Sequence, residues 1–202
     1  RNGVELEPLE FAITLEGLPR VVGTLDCMFP GGRVEHTFSK PSARRLLALW
    51  IRHLALAASG RVARSTLIAR EDDKPSVQVL GTLAPETARR HLSELVALFV
   101  EGQSRPLPFL ATVSHCYLLG IRRGSKTKGP KSPAEALNSA VYEYDGKESE
   151  RDPHAPLAFD RLLPPFDAEY DAERRPLEAT PFHTLAARVY DPLLAALVEG
   201  NP

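Results

Sequence analysis

The chain has 202 residues, of which 43% are hydrophobic and 25% charged, a composition typical of one large soluble globular domain with a real core. Its net charge is −1, so any surface for nucleic acid would have to be local. No run of about 18 apolar residues and no charged-then-apolar leader is visible, so the sequence predicts neither a membrane span nor a signal peptide.

The two cysteines, Cys27 and Cys116, have no His or Cys at metal-ligand spacing. We therefore expect buried, reduced thiols and a cytoplasmic location. The chain begins at Arg1 and its only methionine is Met28, which favours a fragment of a longer protein.

Three strands are predicted at the start of the chain. Alternating apolar residues over 4–15 indicate extended chain and a first strand, and a turn at Gly17-Leu18-Pro19 follows. Val21–Met28 and Arg33–Ser39 are the second and third strands, and we expect an antiparallel meander.

A strongly apolar helix is predicted next, over Ala43–Ala58, with Ser42 as its N-cap. A helix that is apolar on nearly all sides is typically buried on several of them. Its apolar residues are Leu46, Leu47, Leu49, Trp50, Ile51, Leu54 and Leu56.

Two more strands and a helix complete the first half. The strands are predicted at Thr66–Ala69 and Val77–Leu83, with a charged turn, Arg70–Pro75, between them. The helix begins at Pro85, ends before Gly102 and carries an apolar stripe. That stripe consists of Leu92, Leu95, Val96 and Phe99. Strands and helices in this order indicate an α+β (α/β) fold, a mixed β-sheet flanked by helices.

The second half is predicted to be helical and rich in loops. Its expected elements are an extended Arg105–Phe109, helices over Val113–Leu119 and Ala134–Tyr144, and a last helix with Thr180 as cap and Pro181 in its first turn. Asp191-Pro192 falls inside that last helix, where we expect a kink or a restart. The stretch from Glu143 to Arg175 contains ten acidic and five basic residues, and its four prolines indicate loops.

The region from Val21 to Ala58 has the pattern of a metal-dependent nuclease of the PD-(D/E)xK type with a part missing. Such a site needs an Asp at the end of one strand, an acid on the next, and a Lys two positions later to act with Mg²⁺. Asp26 and Glu35 fill the acidic positions, but Thr37 stands where the Lys belongs. We therefore predict a degenerate site without metal or cofactor, in which Asp26 is hydrogen-bonded locally or solvated.

Two alternatives at this site stay open. Lys40, three residues after Thr37, could supply the missing amine, which would make the chain an active Mg²⁺-dependent nuclease using Asp26, Glu35 and Lys40. A slip of one residue in the third strand would instead place His36 at the acidic position.

The predicted apolar helix carries two residues that invite a functional reading. Trp50 is expected to be a core residue, and His53 a hydrogen-bonded histidine at the helix surface. None of the six histidines sits at ligand spacing from another, so no metal site is predicted.

Residues 122–131 are the candidate DNA contact. The segment contains five bases and no acid: Arg122, Arg123, Lys126, Lys128 and Lys131. It could neutralise phosphates without reading sequence, because the nearest aromatic residue is Tyr117. The alternative is a solvated loop. The acidic stretch Glu143–Asp171 disfavours DNA and could meet a basic patch on a partner protein, or simply aid solubility.

An ordered set of short segments resembles the C-terminal region of the RecC family, the gamma chain of exodeoxyribonuclease V (RecBCD). The segments are Gly23-Thr-Leu-Asp26, Leu49-Trp-Ile-Arg-His-Leu54, Arg105-Pro-Leu-Pro-Phe109, Gly146-Lys-Glu148 with Asp152-Pro153, Phe182-His-Thr-Leu-Ala186 and Pro192-Leu193.

The resemblance implies a PD-(D/E)xK restriction-endonuclease-like fold lacking an active site. It also implies a subunit that holds RecB-like and RecD-like partners together and helps split duplex DNA. We thus expect a single nuclease-like domain over 1–202, with a sheet-and-helix core over 1–102 and an extension over 103–202. No catalysis is expected in this domain. The alternative outside enzymology is a protein-interaction module without DNA contact.

Overall fold

The computed structural model describes residues 3–71, 73–124, 129–146 and 181–198 of the chain. They form two compact units: the first comprises Arg1–Val100 and Pro192–Pro202, the second Glu101–Asp191. The expectations for Thr180, for most of the acidic stretch, and for Lys126 and Lys128 fall outside the described residues.

The first unit contains two sheets. Strands β1 (Leu9–Ile13) and β2 (Val21–Leu25) form an antiparallel pair. A second, five-stranded sheet has the order β3-β4-β5-β6-β7. Its strands are β3 (Met28–Phe29), β4 (Gly32–His36), β5 (Arg64–Glu71), β6 (Lys74–Leu80) and β7 (Leu197–Val198).

The expected three-stranded meander is wrong. The predicted second strand breaks at Asp26 and Cys27, so β2 stays in the first sheet while β3 starts the second. β4 pairs with β3 in antiparallel fashion but with β5 in parallel, and helix α1 makes the crossover. The sheet is therefore mixed, which confirms the predicted α+β class with helices flanking a mixed sheet.

Helix α1 (Ala43–Ala58) has the predicted bounds, and the Ser42 side chain accepts a hydrogen bond from the backbone of Arg45 at 3.3 Å. Its last six residues are all buried, and Trp50 is a core residue as predicted. α1 lies over the buried face of β5, which presents Ser65, Leu67 and Ala69.

Helix α2 (Pro85–Gly102) also matches its prediction, except for the stripe. Leu92 is buried, but Phe99 is 66% exposed and Leu98 is buried in its place. Arg89 ties α2 to α1 by donating from two guanidinium nitrogens to the carbonyl oxygen of Ala58 at 3.1 and 3.2 Å.

The second unit is helical. It contains α3 (Ala111–Arg122), α4 (Pro133–Gly146) and most of α5 (Pro181–Ala196). α5 continues through Pro192 without a restart. The hydrophobic core of the second unit consists of Val113, Tyr117, Ala136, Leu137, Ala140, Phe182 and Ala186. None of the helices in the described part of the chain is long and apolar enough to span a membrane.

Candidate functional site

The predicted acidic positions lie at or near the ends of two strands of the first unit. Asp26 follows β2 directly, and Glu35 is on β4. Gly32, the first residue of β4, has a φ of 134° and lies so close to β5 that a Cβ would collide with the backbone of Arg64. This glycine allows β4 to lie against β5, with Arg33 opposite Ser65 and Glu35 opposite Leu67.

Arg33 lies between the two carboxylates. Residues two apart on a strand share a face of the sheet. Arg33 and Glu35 therefore lie on the same face as their neighbours Ser65 and Leu67, which is the buried face of β5. The Arg33 side chain is only 2% exposed. Its Nη2 donates to Asp26 Oδ1 at 2.9 Å, and its Nη1 donates to Glu35 Oε1. Both carboxylates of the predicted degenerate site are thus bound to one guanidinium.

The same guanidinium fixes the backbone between the two sheets. Arg33 Nε donates to the carbonyl oxygen of Asp26 at 3.0 Å. The next residue, Cys27, has a φ of 55°, an uncommon value for a residue other than glycine. Arg33 therefore holds the bend at which the chain passes from one sheet to the other.

A second arginine completes the network from helix α1. Arg52 Nη1 lies 3.2 Å from Glu35 Oε1 and 3.3 Å from Oε2, and the Arg52 side chain is 46% exposed. Glu35 is thus held by one buried and one half-exposed arginine. A register slip is not seen: Glu35 joins this network, while His36 is exposed on the opposite face.

The charges at this site stabilise one another's ionised forms. The Arg33 hydrogen bond lowers the pKa of Asp26 below its usual value, although the Asp26 side chain is 73% exposed. Burial alone would lower the pKa of Arg33, but its hydrogen bonds to Glu35 and Asp26 outweigh that effect and raise it. Asp26 and Arg33 are therefore both ionised at neutral pH.

A guanidinium differs chemically from a divalent metal ion. It has five N–H donors, no acceptor and no place to bind and acidify a water molecule. Within the described ranges, no group of three or more His, Cys, Asp and Glu side chains is arranged to hold a metal. What this cluster does is neutralise two carboxylates and order the strands that carry them.

Thr37, at the lysine position, and Lys40, its proposed replacement, lie in the loop after β4. Thr37 Oγ1 is 2.9 Å from Ser39 Oγ, so its hydroxyl group forms a hydrogen bond within the loop. Lys40 is exposed in the same loop, two residues before the cap of α1.

His53 is hydrogen-bonded as predicted, but it is fully buried instead of lying at the helix surface. Its Nδ1 is 3.0 Å from the hydroxyl of Ser65 on β5, and its ring stacks on Trp50 with centroids 5.9 Å apart. Burial lowers the pKa of His53 to about 4, so the ring is neutral at physiological pH.

Two residues of the predicted basic segment are engaged within the second unit. Arg122 Nε and Nη2 donate to the two carboxylate oxygens of Asp191 at 2.7 and 2.6 Å, and this pairing raises the pKa of Arg122. Lys131 Nζ donates to Ser139 Oγ at 2.8 Å. Arg123 is exposed at the end of α3.

The cysteines are half-buried, not fully buried as expected, and they do not form a disulfide with each other. Burial raises the pKa of the Cys27 thiol, which keeps it protonated at neutral pH.

Sequence reasoning missed Arg33. The usable signal was the period of two along a strand. Arg33 and Glu35 flank Val34, so their side chains lie on the same face of β4, where opposite charges can form an ion pair. The sequence does not indicate that Asp26 joins this pair, because its position depends on how the backbone bends at Cys27.

Comparison with known proteins gives a consistent result. A family model described as the RecC C-terminal domain matches residues 1–122. The chain is 30% identical over 187 residues to the RecBCD enzyme subunit RecC of two Mycobacterium tuberculosis strains, a match that covers 90% of this chain and 16% of the relative.

The protein of the same name from Mycolicibacterium smegmatis is 34% identical over 116 residues, which cover 52% of this chain and 10% of the relative. The chain thus spans no more than about a sixth of the length of these curated relatives.

Proposed function

The chain belongs to the RecC C-terminal domain family, and from that premise we propose that it is a non-catalytic part of a RecC-like subunit of exodeoxyribonuclease V. Its role is to hold partner subunits together and to guide or separate DNA strands during double-strand-break repair by homologous recombination. The relatives' shared name, RecBCD enzyme subunit RecC, supports this assignment.

The nuclease-like fold is part of the proposal. A PD-(D/E)xK-like origin would account for Asp26 directly after β2 and Glu35 on β4, with a helix crossing over from β4 to its parallel partner β5. In the proposed organisation, residues 1–102 form the core and 103–202 extend it within one nuclease-like domain. The described β7, Leu197–Val198, adds a late strand to the sheet of that core.

The absence of catalysis rests on Arg33. Its buried guanidinium bonds to Asp26 and Glu35, the two carboxylates that would have to bind Mg²⁺. A metal ion would have to displace a charged group that carries hydrogen bonds to a backbone carbonyl and to two side chains.

The proposed partners are RecB-like and RecD-like subunits, in a cytoplasmic complex that meets DNA and needs no cofactor in this domain. Co-expression with such subunits tests the scaffold role. We expect the subunits to elute together in size-exclusion chromatography when residues 1–202 are present in the RecC-like protein and to separate when these residues are deleted. Co-elution that survives the deletion would overturn the scaffold role.

DNA contact through the basic segment is the finer part of the proposal. Neutralising Arg122, Arg123, Lys126, Lys128 and Lys131 in the complex should weaken DNA binding and flatten its salt dependence. If affinity and salt slope stay unchanged, the domain is a protein-interaction module without DNA contact through this segment. Arg122 is a weak contributor in this account, because it already pairs with Asp191.

A further inference from the structure

The stretch from His36 to Arg70 contains no acidic residue. It carries seven bases: Lys40, Arg44, Arg45, Arg52, Arg61, Arg64 and Arg70. The whole chain has 25 bases and 26 acids, so its net charge of −1 conceals this concentration of positive charge. Clustered bases on one part of a domain are the electrostatic signature of a phosphate-binding surface.

The loop over residues 37–42 brings the two ends of this stretch together. The Thr37 amide donates to the carbonyl oxygen of Ile68 at 2.8 Å, and the Arg70 amide donates to that of Ser39 at 3.4 Å. The end of β5 therefore lies beside the loop that carries Lys40. Arg70 is therefore a neighbour of the loop that carries Phe38 and Lys40.

Phe38 projects from the same loop. Its side chain is 88% exposed, and its ring meets the ring of His36 edge-on, with centroids 6.2 Å apart. A single exposed apolar residue is ordinary. An exposed aromatic ring two residues from a lysine and beside an arginine is the combination that proteins use to bind unpaired bases.

The arginines at the start of α1 support the same reading. The first turn of α1 contains no acid but carries Arg44 and Arg45, of which Arg44 is exposed. Positive charge is unfavourable at the positive end of a helix dipole, where stability alone favours Asp or Glu. Basic residues at these unfavourable positions fit a role in attracting an anion.

We propose that this surface, consisting of Phe38, Lys40, Arg44 and Arg70, binds single-stranded DNA. The ring of Phe38 stacks on a base while the three cations contact phosphates. Arg70 also bonds to Asp73 at 3.0 Å, but both side chains are largely exposed, and pairs of that kind exchange readily for a phosphate. The inference rests on the proposed function and adds a surface distinct from residues 122–131.

The test is a titration of the purified protein into fluorescently labelled oligothymidylate of about 20 nucleotides, followed by anisotropy at several salt concentrations, with a duplex of equal length in parallel. Phe38→Ala should weaken single-strand binding about 5- to 100-fold, and duplex binding much less, because duplex bases are already stacked. Combining Lys40→Gln, Arg44→Gln and Arg70→Gln should reduce the salt slope by about 2.

Matched controls exist on the same unit. Phe99→Ala removes another exposed aromatic ring, and Arg20→Gln with Arg90→Gln removes exposed bases outside the surface; all three should leave binding unchanged. Far-ultraviolet circular dichroism verifies that each variant is folded. The inference is overturned if Phe38→Ala has no more effect than Phe99→Ala, or if single-strand and duplex binding fall equally.

The outcome separates this inference from the proposed function. If only neutralisation of residues 122–131 abolished single-strand binding, this surface would be wrong and the proposed function would stand. Loss of co-elution with a RecB-like subunit in the Phe38→Ala variant, with DNA affinity unchanged, would make the surface a protein contact and also overturn the inference. Failure of the wild-type protein to assemble with partner subunits would contradict the proposed function alone.

Discussion

The Arg33 guanidinium is buried with a single set of partners, the two carboxylates and the carbonyl oxygen at the bend after β2. Removing one member of a buried ion pair is costly because the other charges lose their compensation. The cost here is moderated since Asp26 is largely exposed and Glu35 retains Arg52.

Arg33→Met should therefore lower the free energy of unfolding by about 2–3 kcal/mol. Arg52→Gln is the matched control, because it removes a half-exposed partner of the same Glu35 and should cost less than about 1 kcal/mol. Urea unfolding measures both. Equal costs would show that Arg33 does not hold the bend.

His53 makes stability depend on pH. Its pKa is about 4 in the folded protein against 6.5 unperturbed, because burial penalises the charged ring. Above pH 6.5 the ring is neutral in both states. As the pH falls from 6.5 towards 4, the unfolded chain takes up a proton that the folded protein refuses, so stability is lost across that window.

Between pH 7.5 and pH 5, His53 should contribute a loss of about 2 kcal/mol. His53→Asn keeps a polar group near Ser65 but does not titrate, so its stability should fall less over the same range. Urea unfolding is followed by the fluorescence of Trp50, the only tryptophan, which stacks on His53. Identical pH dependence in both proteins would contradict the assignment.

At this scale, residue type and spacing predicted Trp50 in the core and a hydrogen-bonded His53. They did not predict that His53 is fully buried, because that depends on β5 lying across α1 with Ser65 facing the ring. Phe38 was overlooked since its exposure is a property of the loop and not of the local sequence pattern.

At the scale of elements, Ser42 caps α1 by accepting the Arg45 amide. Ser42→Ala should lower the free energy of unfolding by about 1 kcal/mol, and Ser42→Gly by only a few tenths, since glycine is tolerated at this position. Thermal unfolding followed by circular dichroism distinguishes the two. An effect of Ala no larger than that of Gly would mean that the 3.3 Å bond contributes nothing.

Helices were predicted closely and strands were not, for physical reasons. Local sequence signals mark where these helices begin: a serine N-cap for α1 and an N-terminal proline for α2. Strand pairing is decided by distant residues: β4 pairs with β5 in parallel only because α1 returns the chain to the same edge. The break between β2 and β3 depends on the positive φ of Cys27, which no residue preference indicates.

At the scale of the whole molecule, the end of the described chain returns to the five-stranded sheet of the first unit. β7 pairs with β6 through Val198 opposite Val79, and the Gly81 amide donates to the carbonyl oxygen of Ala196 at 2.9 Å. No pattern in the sequence indicates this strand, since two residues are too few to show a period.

Deleting residues 197–202 should destabilise the first unit by about 1–2 kcal/mol, because β6 loses its neighbour at Val79 and Leu80. Hydrogen–deuterium exchange should rise in the peptide covering 78–81. Deleting 199–202 alone is the control, as it leaves β7 in place. Unchanged exchange after the longer deletion would contradict the pairing.

We propose that the Arg33 guanidinium takes the place that a metal ion has in a nuclease, and that this domain does not cut DNA. Incubation of the purified protein with labelled single- and double-stranded DNA in Mg²⁺ or Mn²⁺ tests it most directly. We predict no cleavage above the metal-free reaction, for the wild type and for Asp26→Ala alike. Metal-dependent cleavage by the wild type that disappears in Asp26→Ala or Lys40→Ala would contradict the claim.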